Sequence, residues 1–94
     1  MRLNINQINT IKTTAQSLWG SKVQVILFGS RIHDARKGGD IDLYLETEQP
    51  NLMTTINCKI RLEEQLDIPV DLIVKPYGNQ SPIAMIAKAE GIRL

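Results

Sequence analysis

Residues 23–46 read VQVILFGSRIHDARKGGDIDLYLE. An apolar run, Val25-Ile26-Leu27-Phe28, ends at Gly29-Ser30; a basic segment follows; a second apolar run opens with Asp40-Ile41-Asp42. Continuous apolarity over a few residues suits a strand covered on both faces, and glycine at its end permits a sharp turn with close backbone approach. In the second run side chains alternate with period two, so Asp40 and Asp42 share one face, with Cα atoms about 6.5 Å apart. Ile41, Leu43 and Leu45 take the other, which can be buried. Two carboxylates side by side repel unless a cation lies between them, and a divalent metal is the usual answer. The glycine-serine turn supplies amide donors suited to a phosphate.

Outward from this stretch the chain alternates helix and strand. Residues 4–19 place Ile5, Ile8, Ile11, Ala15, Leu18 and Trp19 near the stripe of an amphipathic helix, and Gly20 can cap it. Residues 31–37 have room for two helical turns before Gly38-Gly39. Pro50-Asn51 break the chain ahead of a helix over 51–66, with Met53, Ile56, Ile60 and Leu66 inward. Val70-Asp71-Leu72-Ile73-Val74 is a third strand, with Asp71 opposite in phase to Val70, Leu72 and Val74. Ser81-Pro82 begin a last helix, which Gly91 caps. The order α-β-α-β-α-β-α predicts an α+β fold in layers, a small mixed sheet flanked by helices.

Ninety-four residues with 43% hydrophobic and 22% charged content predict a single soluble domain over 1–94. A net charge of +1 makes no case for nucleic acid as a direct ligand. The one cysteine, Cys58, forms no internal disulfide and reads as a small apolar helix residue. No apolar run resembles a signal peptide or approaches the ~20 residues of a membrane span, so a cytoplasmic protein is expected.

If the third strand lies beside the second, Asp71 projects from the same face as Asp40 and Asp42, about 4.8 Å away. Three carboxylates so placed hold hard cations through oxygen, and two metals can stabilise the attacking and leaving oxygens of an in-line displacement. Phe28-Gly29-Ser30, the spacer, Asp40-Ile41-Asp42-Leu43 and the later Asp71 together resemble the nucleotidyltransferase superfamily of the DNA polymerase beta type, and within it the minimal nucleotidyltransferases. The likeness spans residues 3–94 and fills every motif position. It implies the nucleotidyltransferase fold and metal-dependent transfer of a nucleoside monophosphate, AMP from ATP by family custom, to a hydroxyl group. Minimal members commonly pair with HEPN-type ribonuclease toxins and act as antitoxins, some by adenylylating the toxin. On that resemblance Asp40, Asp42 and Asp71 bind two Mg2+ ions, and Asp71 helps activate the acceptor. Gly29, Ser30 and Arg31 hold the triphosphate, while His33, Arg36 and Lys37 read as a solvated basic turn. A partner or a second copy is expected to supply the remaining pocket walls.

Two other readings compete. An antitoxin could neutralise its partner by occlusion alone, although a degenerate member would usually have lost one of the aspartates. A receiver-like phosphoacceptor also gathers acidic residues around a metal, but it has no use for the glycine-serine turn. The residues do not distinguish ATP from CTP or GTP.

Overall fold

A computed structural model describes residues 3–29 and 40–94. Helix α1 (Ile5–Trp19) starts at a reciprocal cap: Asn4 Oδ1 accepts from Gln7 N at 2.8 Å, and Gln7 Oε1 accepts from Asn4 N at 2.9 Å. That arrangement satisfies two donors that a helix start otherwise leaves orphaned. Strand β1 (Gln24–Phe28) follows, then β2 (Ile41–Thr47), α2 (Leu52–Leu66), β3 (Val70–Pro76), α3 (Pro82–Glu90) and β4 (Ile92–Arg93). The predicted helical turns over 31–37, together with Ser30, Arg31, His33, Arg36 and Lys37, lie outside the described residues.

The sheet order is β3-β2-β1-β4. β2 pairs antiparallel with β1 and parallel with β3, so the sheet is mixed. The parallel pairing needs a crossover, and α2 provides it. The first face of the sheet buries Val25, Leu27, Ile41, Leu43, Leu45 and Val70 against Ile11 and Ala15 of α1 and Cys58 and Leu62 of α2. On the second face a smaller cluster joins Ile26 and Tyr44 to Ala84 and Ala87, with Phe28 and Ile73 against it. β1 is thus covered on both sides, as its continuous apolarity requires.

Three expectations are corrected. Met53, Ile56 and Ile60 do not face inward: they are 64%, 39% and 48% exposed, while Cys58 and Leu62 are buried and Leu66 is partly buried. The helix carries two apolar stripes, and the sheet takes the one whose smaller Cys58 permits close approach. Ile5 likewise is exposed, leaving Ile8, Ile11, Ala15, Leu18 and Trp19 as the packed stripe. The chain also ends in a strand rather than a helix, since Ile92 and Arg93 pair with Leu27 and Ile26. Two residues are too short a run to show a period.

The β3 edge is shielded where it begins. Lys59 Nζ donates to Val70 O at 2.7 Å, and Glu63 Oε2 accepts from Val70 N at 2.8 Å. Both side chains come from α2 and bond each other at 2.8 Å, which occupies backbone groups that an edge strand otherwise leaves open.

Candidate functional site

The second face of the sheet positions the acidic residues. Asp42 pairs across the strands with Phe28 of β1 on one side and Asp71 of β3 on the other. Asp40 lies two residues earlier on the same parity and is exposed; Asp71 is exposed and Asp42 half-buried. Parallel pairing in this register brings the Asp42 and Asp71 carboxyl groups within hydrogen-bonding reach. Burial, then the charge and hydrogen bond of Asp71, then the charge of Asp40 push the Asp42 carboxyl above the usual carboxylate range.

Gly29 closes the site from the β1 side. Its φ is +78°, and a Cβ there would collide with Asp42 Oδ2. Glycine is therefore required twice: for the left-handed backbone and for the carboxylate's room. The bend at the end of β1 and the strand bearing Asp42 are fitted to one another.

Whether these residues suit a divalent cation rests on their chemistry. The donors are carboxylate oxygens, the ligands hard cations prefer, and burial together with their mutual repulsion raises Asp42's proton affinity, which a cation between them would relieve. Asp42 and Asp71 form the close pair, and Asp40 acts from farther off. Among the described residues no three acidic, histidine or cysteine side chains form a ready-made cage. The donor set fits Mg2+, with ligands beyond the pair needed to complete it.

Further down the same face, a polar network occurs that the sequence reading did not single out. Tyr44 is fully buried and donates to Glu46 Oε2 at 2.5 Å. Lys88 of α3 reaches the same oxygen at 2.7 Å, and Gly78 N donates to Glu46 Oε1 at 3.2 Å. Burial alone would raise the Glu46 carboxyl, but Lys88, the Tyr44 hydroxyl and the Gly78 amide outweigh it and hold it low. Burial and Glu46 push the Tyr44 hydroxyl well up. The network ties α3 to the sheet face that also carries the aspartates. Its signal in the sequence was parity: Tyr44 and Glu46 follow Asp42 at steps of two.

A cavity of about 450 Å3 lies between α1 and α2, lined by Asn9, Thr13, Ser17 and Arg61 among others. It is on the far side of the sheet from the aspartates and holds no acid–base pair. Trp19, at the end of α1, is partly buried against the core. Among the described residues no helix is long and apolar enough to cross a membrane.

A family model described as a nucleotidyltransferase domain matches residues 8–94. No curated protein matches in sequence. Among solved structures, a chain of the toxin–antitoxin MntA–HpeT carrying two aspartate-to-glutamate substitutions is similar, with a TM-score of 0.75 and 18% identity. That alignment covers 97% of this chain and 71% of the other. A tyrosine-to-alanine mutant of the same pair gives a TM-score of 0.70 and 21% identity, over 98% and 71%. At these identities the likeness shows a shared fold.

Proposed function

Because this chain belongs to the nucleotidyltransferase domain family, we propose that it transfers a nucleoside monophosphate, AMP from ATP, to a hydroxyl group on a HEPN-type toxin partner and so acts as an antitoxin. The observation that carries the reading is the Asp42–Asp71 pair, two carboxyls held side by side at the cost of a raised proton affinity. Mutual repulsion of this kind is what cation-binding and acid–base sites show.

Asp40, Asp42 and Asp71 would hold Mg2+, which when bound neutralises charge on the phosphates and the leaving group. Asp71, the more exposed of the pair, takes the proton of the acceptor hydroxyl as its oxygen attacks the α-phosphorus. A phosphorus–oxygen bond forms to the acceptor, the bond to the β-phosphate bridging oxygen breaks, and pyrophosphate leaves. Gly29, with its neighbours Ser30 and Arg31, receives the triphosphate: backbone amides and the hydroxyl bind phosphate oxygens, and the guanidinium adds a bidentate contact. The fixed sheet supplies orientation, from which phosphoryl transfer draws most of its rate.

Two further features support an antitoxin role. The structural relatives are described as a toxin–antitoxin pair. The aspartates substituted in one of them stand two positions apart, the spacing of Asp40 and Asp42. The test is to incubate the purified chain with Mg2+, the candidate toxin and ATP labelled at the α-phosphate. Label should pass to the toxin, and Asp42→Asn and Asp71→Asn should each abolish it. Neutralisation that survives both substitutions unchanged would replace this reading with occlusion.

A further inference from the structure

The outer side of α2 presents Leu52, Met53, Ile56 and Ile60, which are 74%, 64%, 39% and 48% exposed. The inward stripe of this helix is already complete in Cys58 and Leu62, so these four residues form a second stripe that the domain itself does not use. From 53 to 56 to 60 the spacing is three and then four, the seam along which one α-helix packs on another. Four adjoining large apolar side chains expose a few hundred Å2, the size at which a patch marks a contact surface.

Charge narrows the occupant. Glu64 lies one turn beyond Ile60 on the same side, and Asp67 caps the helix; both are exposed, and among the described residues neither joins a salt bridge. The last turn of α2 holds no basic residue. Acids at a helix C-terminus meet the negative end of its dipole, an arrangement that a docked cation would relieve. A second copy of α2 does not place one there: its cations, Lys59 and Arg61, lie in mid-helix, with Lys59 paired to Glu63. Residues 47–58, TEQPNLMTTINC, which an antiparallel mate sets against the acids, contain no Lys or Arg, and a parallel mate sets acid against acid. The patch also falls short of the ~800 Å2 per partner of a stable interface, which makes it an anchor within a larger contact.

We propose that this face of α2 docks an amphipathic helix of a protein partner, one with apolar residues at three–four spacing and Lys or Arg at the end that meets Glu64 and Asp67. α2 covers the sheet face opposite Asp42 and Asp71, so the docked helix leaves the carboxylates open. The inference deepens the proposed function by saying where a protein partner is held, but it stands without the transfer chemistry.

The test uses the full chain carrying Ile60→Cys, with benzophenone-maleimide on the new thiol; the native Cys58 is fully buried and stays silent. The probe is irradiated in extract of the cells that make the protein, and the adduct is mapped by mass spectrometry. The adduct should fall on a helix of another protein with the stated apolar spacing and terminal cations. Adding Glu64→Lys and Asp67→Lys should cut its yield roughly tenfold, the loss of about 1.4 kcal/mol. Circular dichroism of each variant establishes that it is folded. No adduct, an adduct to a second copy or to a non-helical segment, or a yield indifferent to charge reversal overturns the proposal. Mg2+-triphosphate binding by the same labelled chain is measured alongside. Its persistence when cross-linking fails sinks the docking surface alone.

Discussion

Asp42 and Asp71 are register partners on neighbouring parallel strands, and burial, with the charge of Asp71 beside it, makes the Asp42 carboxyl harder to ionise. The sign of the pH dependence follows. Asp42's carboxyl is raised in the folded chain, so the folded state holds its proton more tightly than the unfolded one. Metal-free protein should therefore gain stability as pH falls through Asp42's raised value toward the ordinary carboxylate range. Added Mg2+ should flatten that gain by favouring the ionised pair. Thermal melts across pH, with and without Mg2+ and beside Asp42→Asn, check both; a metal-free pH profile identical to that of Asp42→Asn over this range rejects the raised carboxyl.

Asp71→Asn removes one of the two charges while keeping size. Stability without metal should rise by about 0.5–1 kcal/mol, the scale of a partly exposed charge pair. Mg2+-dependent triphosphate binding, followed by calorimetry, should be lost. Gain in one measurement and loss in the other is the mark of a site that trades stability for function.

Gly29→Ala forces a methyl group against Asp42 and places a side chain at φ +78°. The left-handed backbone alone costs about 1–2 kcal/mol. Denaturant unfolding should show at least that loss. Nucleotide binding should fall further than stability accounts for, because the displaced atom belongs to the site.

Glu46→Gln and Lys88→Met probe the buried network. Glu46's carboxyl is depressed in the folded state, so its contribution is present above the ordinary Glu range and fades as pH drops through the folded value. Lys88→Met, which leaves a buried carboxylate with fewer partners, should cost about 2–3 kcal/mol at pH 7. Against Glu46→Gln that cost should largely disappear, as a double-mutant cycle would record.

Cys58 is fully buried, and burial, opposed only weakly by Arg61, pushes its thiol up to about 11. Native protein at pH 8 should react with a thiol reagent far more slowly than the unfolded chain. Comparable rates would mean that α2 does not stay packed.

The parts of this fold that could be read from the sequence are those where two levels of pattern agree. Phase placed Asp71 against the apolar side of its strand, and the parallel register then set it beside Asp42. Gly20, Ser81 and Gly91 announced their helix ends through capping chemistry. On α2 the pattern misled, because two apolar stripes compete and periodicity says nothing about which one a sheet prefers. Small Cys58 beside Leu62 won over bulkier Met53, Ile56 and Ile60. The Glu46–Lys88 pair was hidden for another reason: its members are 42 positions apart, and only the finished packing of α3 brings them together.

The crossover through α2 has a consequence for biosynthesis. Asp40 and Asp42 are synthesised 29 or more residues before Asp71, and the strand that carries Asp71 can pair with β2 only after the whole crossover between them has been made. A nascent chain that has emerged only as far as residue 67 holds Asp40 and Asp42 but not Asp71. Whatever reactivity the completed domain possesses is thereby withheld until β3 has been made and paired, a delay written into the connectivity itself.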